Sequence, residues 1–178
     1  MNNTNLTSST DFKTVLQDIK QKIYSAKNKA ILSANRVMIE LYFEIGKTIV
    51  QKQEKLGWGK SVVEEMSKEL KKEFGQNCGY STSNLWRMRN FYIAYKNYPN
   101  LAQIVREISW SQNIVIFEKC KEIKEREYYI KNCIEYGWNR NTLLHHIKTE
   151  LYKRDNLENS LPSKEKLNSG ILGLRTNI

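Results

Sequence analysis

At 178 residues, with 40% hydrophobic and 11% aromatic content, the chain has the size and composition of a folded domain, which excludes wholesale disorder. Its 29 Lys and Arg against 19 Asp and Glu leave a formal charge of +10 and a pI of about 9.4, which favours a polyanionic partner, nucleic acid before an acidic membrane surface or an acidic protein. No run reaches the roughly 20 apolar residues of a spanning helix. Met1–Thr10 lacks the basic start and apolar stretch of a signal peptide, and Cys78, Cys120 and Cys133 fit no metal-ligand spacing, so reduced thiols in the cytoplasm are expected.

From Asp11 to about Glu54 the chain has no turn punctuation apart from Gly46. Leu16, Ile19, Ile23, Ala26, Ala30, Ser33 and Val37 follow a 3-4 spacing, and Leu41, Ile45 and Ile49 continue it every four. The spacing predicts one long helix or two nearly collinear ones, a length that brings a coiled coil and a homodimer into view. Small residues at three of the seven seam positions favour packing within the domain instead. Gly57-Trp58-Gly59 breaks the pattern, and Ser61 is expected to cap a second helix with Val62, Val63, Met66, Leu70 and Phe74 as its stripe. Gly75–Ser81 reads as a turn, followed by a third helix that Ser81 or Ser83 caps and Pro99 stops near Tyr98. Leu101–Ser109 and Asn113–Glu122 read as short helices around Trp110, with a strand at Ile114-Val115-Ile116 as an alternative that periodicity does not separate. Lys124–Tyr136 is a helix closed by Gly137, and Asn139 or Asn141 opens another with Leu143, Leu144, Ile147 and Leu151 on its stripe. The expected class is mainly α: a multi-helix domain with a helix-turn-helix or winged-helix-like unit behind a long N-terminal helix or helical pair. Residues 1–10 are expected to be disordered, 11–154 to form the helical domain, and 155–178 to be a linker or truncated tail.

The 33 residues from Phe74 to Arg106 contain no Asp or Glu, yet carry Arg87, Arg89, Lys96 and Arg106 among seven aromatics. An acid-free basic helix behind a turn is the footprint of a nucleic-acid-reading element. At 100° per residue, Leu85, Met88, Tyr92 and Tyr95 share a packing face, and Trp86 and Ile93 form a flank. Ser83, Arg87, Asn90, Ala94 and Asn97 line a third, polar face with a small residue in its middle. Arginine bonds guanine and asparagine bonds adenine in bidentate fashion, and alanine admits close approach to a groove. Ser81 and Ser83 stand at the positive helix N-terminus, where backbone N–H groups favour a phosphate. Arg89 and Lys96 lie along a separate line suited to phosphate contact. Asn84 completes the candidate set on this helix, and Arg140 and Lys148 on the later basic helix are candidates for a second phosphate-contacting element. The competing description is a solvated basic surface, with Arg87 and Arg89 paired to glutamates of the preceding helix. Double-stranded DNA is the expected partner.

Catalytic chemistry is not legible. His146 and Glu150 are one helical turn apart, a spacing able to ligate a metal, but no second histidine shares that face. There is no GxSxG, Walker loop, GxGxxG or HExxH motif, so no enzyme, metal or cofactor is expected.

Several phrases carry a family resemblance. Tyr42-Phe43-Glu44-Ile45-Gly46-Lys47-Thr48-Ile49, Gly57-Trp58-Gly59-Lys60 and the run from Tyr80 to Tyr92 are similar to the N-terminal domain of YhcG-type proteins. So are Ile108-Ser109-Trp110-Ser111-Gln112-Asn113, Arg126-Glu127-Tyr128-Tyr129-Ile130 and Tyr136-Gly137-Trp138-Asn139-Arg140-Asn141, in an order that covers residues 12–154. The resemblance implies a helical DNA-binding unit that precedes a PD-(D/E)XK nuclease domain. Nothing from Ser160 to Ile178 matches the Asp and Glu-x-Lys residues that would hold the catalytic metal of such a domain, so nuclease activity is not carried over to any residue here. The expectation is a DNA-binding domain of a nuclease-associated protein that pairs with a separate nuclease subunit or is a truncated product. The alternative is a helical protein-interaction or oligomerisation module.

Overall fold

The computed structural model describes residues 10–160, all of whose regular structure is helical. Of the disordered N-terminus expected over 1–10 and the tail expected over 155–178, residues 1–9 and 161–178 lie outside the described residues, whereas Thr10 is helical. Eight helices follow in order: α1 Thr10–Leu56, α2 Lys60–Phe74, α3 Thr82–Tyr95, α4 Pro99–Ile104, α5 Trp110–Lys119, α6 Ile123–Tyr136, α7 Arg140–Lys148 and α8 Leu151–Ser160. A 3-10 turn, Val105–Glu107, follows α4. The strand considered for residues 114–116 is replaced by α5, which buries Gln112, Asn113, Val115 and Ile116 at helical spacing. Among the described residues there is therefore no β-wing. The chain divides into two compact units, Met1–Trp110 and Ser111–Ile178.

In the first unit α3 is the central element, packed mainly on α1 and also on α2 and α4. Leu85, Met88, Phe91 and Tyr95 are fully buried. Phe91 takes the core place expected of Tyr92, which is half-buried. Opposite them α1 buries Ile39, Tyr42, Ile49 and Val50. Gly46, read from sequence as a weak punctuation mark, lies inside α1 and is buried where the two helices cross. A Cβ there would stand 2.1 Å from the Met88 carbonyl oxygen, so only glycine permits this approach. Edge-on aromatic pairs fill the space around the crossing: Trp110 against Tyr42 at 4.9 Å and Phe91 at 5.2 Å, and Phe43 against Tyr92 at 5.0 Å.

Two local expectations about helix starts change. Ser61 lies within α2 and Gly59 is the N-cap residue, while Gly57 reverses the chain at φ +64°. Pro99 stops α3 only indirectly, since it opens α4 as a first-turn proline. Packing within the domain, expected for the whole of α1, holds only for its second half: every residue from 10 to 34 is exposed.

The second unit buries Val115, Ile116, Cys120, Tyr129, Ile130, Cys133 and Leu143. Arg126 donates to the Cys120 carbonyl at 2.8 Å and so closes the C-terminus of α5. Gly137 ends α6 in the left-handed conformation at φ 62°, and the Asn139 side chain caps α7 by accepting from the Asn141 and Thr142 N–H groups. The stripe expected to run on to Leu151 is broken at Glu150, which has φ 53°. The chain then continues as α8 through Asp155, where a linker was expected, and Tyr128 donates a hydrogen bond to the Asp155 carboxylate. Among the described residues no helix is long and apolar enough to cross a membrane.

Candidate nucleic-acid interface

The start of α3 is set by its cap. Ser81 Oγ accepts from the Asn84 N–H at 3.3 Å and lies 3.1 Å from Ser83 Oγ. The turn before it is fastened to α2 by Ser67, fully buried, whose hydroxyl donates to the Tyr80 carbonyl at 2.9 Å, and by the Phe74–Tyr80 ring contact. The helix N-terminus is thus held in place from behind, with Ser83 exposed at its front.

Of the polar face anticipated on α3, Ser83 and Asn90 are exposed, Arg87 and Ala94 are half-buried, and Asn97 falls beyond the last helical residue. Arg89 is oriented from three sides. Its Nε donates to Gln53 Oε1 of α1 at 2.5 Å, Nη1 donates to Asn90 Oδ1 at 3.2 Å, and the guanidinium lies 5.5 Å from the centre of the Trp86 ring. None of these partners is a carboxylate, so the pairing with a glutamate of α2 considered from sequence does not occur at Arg89. Two of its five N–H donors are engaged among the described residues. Lys96 stands exposed at the C-cap of α3.

Two members of the basic segment are used differently. Asn84 turns inward: its Nδ2 donates to the Gly79 carbonyl at 2.5 Å and its Oδ1 accepts from Trp110 Nε1 at 2.9 Å. It braces the turn against the aromatic cluster. Arg106 reaches back to Glu40 of α1 at 3.3 Å, so the positive charge at that end of the acid-free segment is compensated by a residue far away in sequence. Gln53 and Trp110 were not singled out as site residues from sequence. A glutamine 36 residues away carries no local sign that it orients an arginine.

Arg140 and Lys148, exposed at the two ends of α7, belong to the second unit. His146 stacks on Trp138 with ring centres 4.0 Å apart, while Glu150 pairs with Lys153 at 2.6 Å, so the one-turn spacing of the two does not bring them to a common ligand position. Burial, then the neighbouring charges of His145 and Arg154, hold the His146 imidazole below its ordinary pKa. Among the described residues no group of three His, Cys, Asp or Glu side chains is arranged to hold a metal ion.

Comparison with known proteins adds a family to this geometry. Residues 18–154 match the family described as the DUF1016 N-terminal domain. A curated relative, "Putative nuclease YhcG" of Escherichia coli (strain K12), is 24% identical over 163 residues, covering 73% of this chain and 43% of the relative. The chain thus spans less than half the length of that relative. No solved structure matches the chain.

Proposed function

The chain belongs to the family of DUF1016 N-terminal domains, and on that premise we propose that it is a DNA-binding domain of a nuclease-associated protein. In this reading α2, the turn from Gly75 to Ser81 and α3 act as a helix-turn-helix, with α3 as the element that enters the groove. The observation that carries the reading is Arg89: its guanidinium is oriented by neutral partners alone, so its charge is positioned but not neutralised. A phosphate is the natural complement to such a group. Ser83, Asn90 and Arg87 present the polar side of the helix to the bases, Ser81 shapes its N-terminus, and Lys96 extends the phosphate line. Asn84 acts from behind, by holding the turn. Arg140 and Lys148 supply a separate phosphate contact from the second unit. Support also comes from the relative named "Putative nuclease YhcG", since a nuclease must contact nucleic acid.

The test is a titration of fluorescent duplex DNA with the chain and with an Arg87→Ala/Arg89→Ala variant at several salt concentrations. Wild-type binding should weaken steeply with salt, and the variant should lose about one unit of log–log slope per phosphate contact removed. Equal binding by the two proteins, or none by either at low salt, would overturn the assignment. A second reading, a helical module that recruits another protein, is favoured by one specific observation: every residue of α1 from 10 to 34 is exposed.

A further inference from the structure

The exposed half of α1 is patterned. Taking the half-buried Asn35 and the buried Ile39, Tyr42, Gly46 and Val50 as the side of the helix that meets the first unit, Phe12, Leu16, Ile19 and Ile23 lie on the opposite side at 100° per residue. Ala26, Ala30, Ser33 and Val37 continue the same line, at strict 4-3 spacing throughout. The apolar members are far from buried, with Phe12 at 41%, Ile19 at 46%, Ile23 at 48% and Val37 at 63% exposure. A solitary helix in water gains nothing from such a stripe, and one 25 residues long is only marginally stable without a partner.

Charge distinguishes the possible partners. In heptad terms the positions that flank the stripe hold Lys13, Lys20 and Lys27 along one edge and Lys22, Lys29 and Arg36 along the other. The two acids of this half, Asp11 and Asp18, lie outside the stripe, next to the second of these edges. Lys22 pairs with Asp18 at 2.7 Å and Arg36 with Glu107 at 2.6 Å, whereas Lys13, Lys20, Lys27 and Lys29 have no carboxylate partner among the described residues. A second copy of the chain would set lysine edge against lysine edge, whether the two helices ran parallel or antiparallel, and like charges so placed oppose association. An anionic lipid surface fits poorly, because the stripe is small at Ala26, Ala30 and Ser33, a shape suited to close approach of another helix. Beyond Val37 the stripe runs into an open apolar groove where Leu41, Ile45 and Thr48 of α1 face Met66, Leu70 and Phe74 of α2. A docked helix would find its track extended by this groove.

We propose that this face of α1 is a docking site for an acidic amphipathic helix of a partner protein, which lays its apolar seam on the stripe and its carboxylates along the two lysine edges. The docking site is independent of the DNA-contacting role of α3.

The probe is a fluorescent four-heptad peptide with Leu at both seam positions and Glu at both flanking positions, against a control with Lys in place of Glu. The full chain should bind the Glu peptide in a salt-sensitive manner and ignore the Lys peptide. A Lys20→Glu/Lys27→Glu/Lys29→Glu variant should lose about tenfold affinity for the Glu peptide and gain binding to the Lys peptide. These side chains are exposed, so the variant should keep the thermal transition of the parent. The Arg87→Ala/Arg89→Ala variant should bind the Glu peptide as the parent does, which separates this result from that of the DNA titration. A chain that sediments as a dimer and ignores both peptides would give the stripe to a second copy, and binding to phosphatidylserine vesicles but not to the Glu peptide would give it to a membrane. No binding of any of them would also overturn the proposal.

Discussion

Replacing Gly46 with alanine inserts one methyl group into the crossing of α1 and α3. The new Cβ would lie 2.1 Å from the Met88 carbonyl oxygen, 2.7 Å from the Met88 carbonyl carbon and 3.0 Å from the Tyr92 Cβ. Two of these are backbone atoms inside a helix, so no change of rotamer relieves the overlap. The helices must part by more than an ångström before ordinary van der Waals distance is reached, and a gap of that size forfeits a quarter to a half of the dispersion well for the atoms along the contact. At an open helical position the same substitution stabilises by about 1 kcal/mol, because alanine is the better helix former. Overpacking of a close-packed contact costs about 1–3 kcal/mol and more when backbone must move. The loosened aromatic and aliphatic neighbours add to it, so a net loss of about 2–4 kcal/mol is expected. Urea unfolding followed by far-UV circular dichroism measures it, with Asn28→Ala on the exposed half of the same helix as a control that should change stability by no more than about 0.5 kcal/mol. A Gly46→Ala midpoint equal to or above that of the parent would refute the backbone-to-backbone crossing.

Two further predictions concern groups whose roles depend on burial. Asn84→Ala should destabilise the first unit by about 1–3 kcal/mol in the same denaturant assay, because it removes the acceptor of Trp110 Nε1, and parental stability in this variant would contradict that bond. Burial pushes the Cys120 and Cys133 thiols up to about 12, so neither forms an appreciable thiolate at pH 8 in the native chain. Iodoacetamide should therefore modify the partly exposed Cys78 first, as read by peptide mass spectrometry, and equal labelling of all three in the folded protein would contradict the burial of the other two.

The parts of the fold that were legible in the sequence are those governed by neighbours along the chain. Ser81 capping α3, Gly137 closing α6 and Asn139 opening α7 are local events, decided by a side-chain acceptor or a left-handed backbone within a few residues of the helix end. The apolar spacing of residues 114–116 was ambiguous for the same reason: a short β-branched run suits either element until its buried neighbours are known. On the candidate interface, the exposed positions of Ser83 and Asn90 followed from helical geometry alone, as did the burial of Leu85, Met88 and Tyr95.

By itself, then, the sequence determined a helical chain, the helix stops marked by Gly57, Gly75 and Gly137, and a basic segment whose charges no local acid neutralises. Tertiary structure decided what those pieces do. It turned Asn84 inward to Trp110, compensated Arg106 with Glu40 and left Arg89 oriented by Gln53, through pairings between residues 26, 66 and 36 positions apart. It also made Gly46 a point of helix crossing and left the apolar stripe of α1 exposed among the described residues. The physical reason is the same in each case: caps and turns depend on bonds within a few residues, whereas neutralising a charge or covering an apolar face depends on which distant segment arrives beside it.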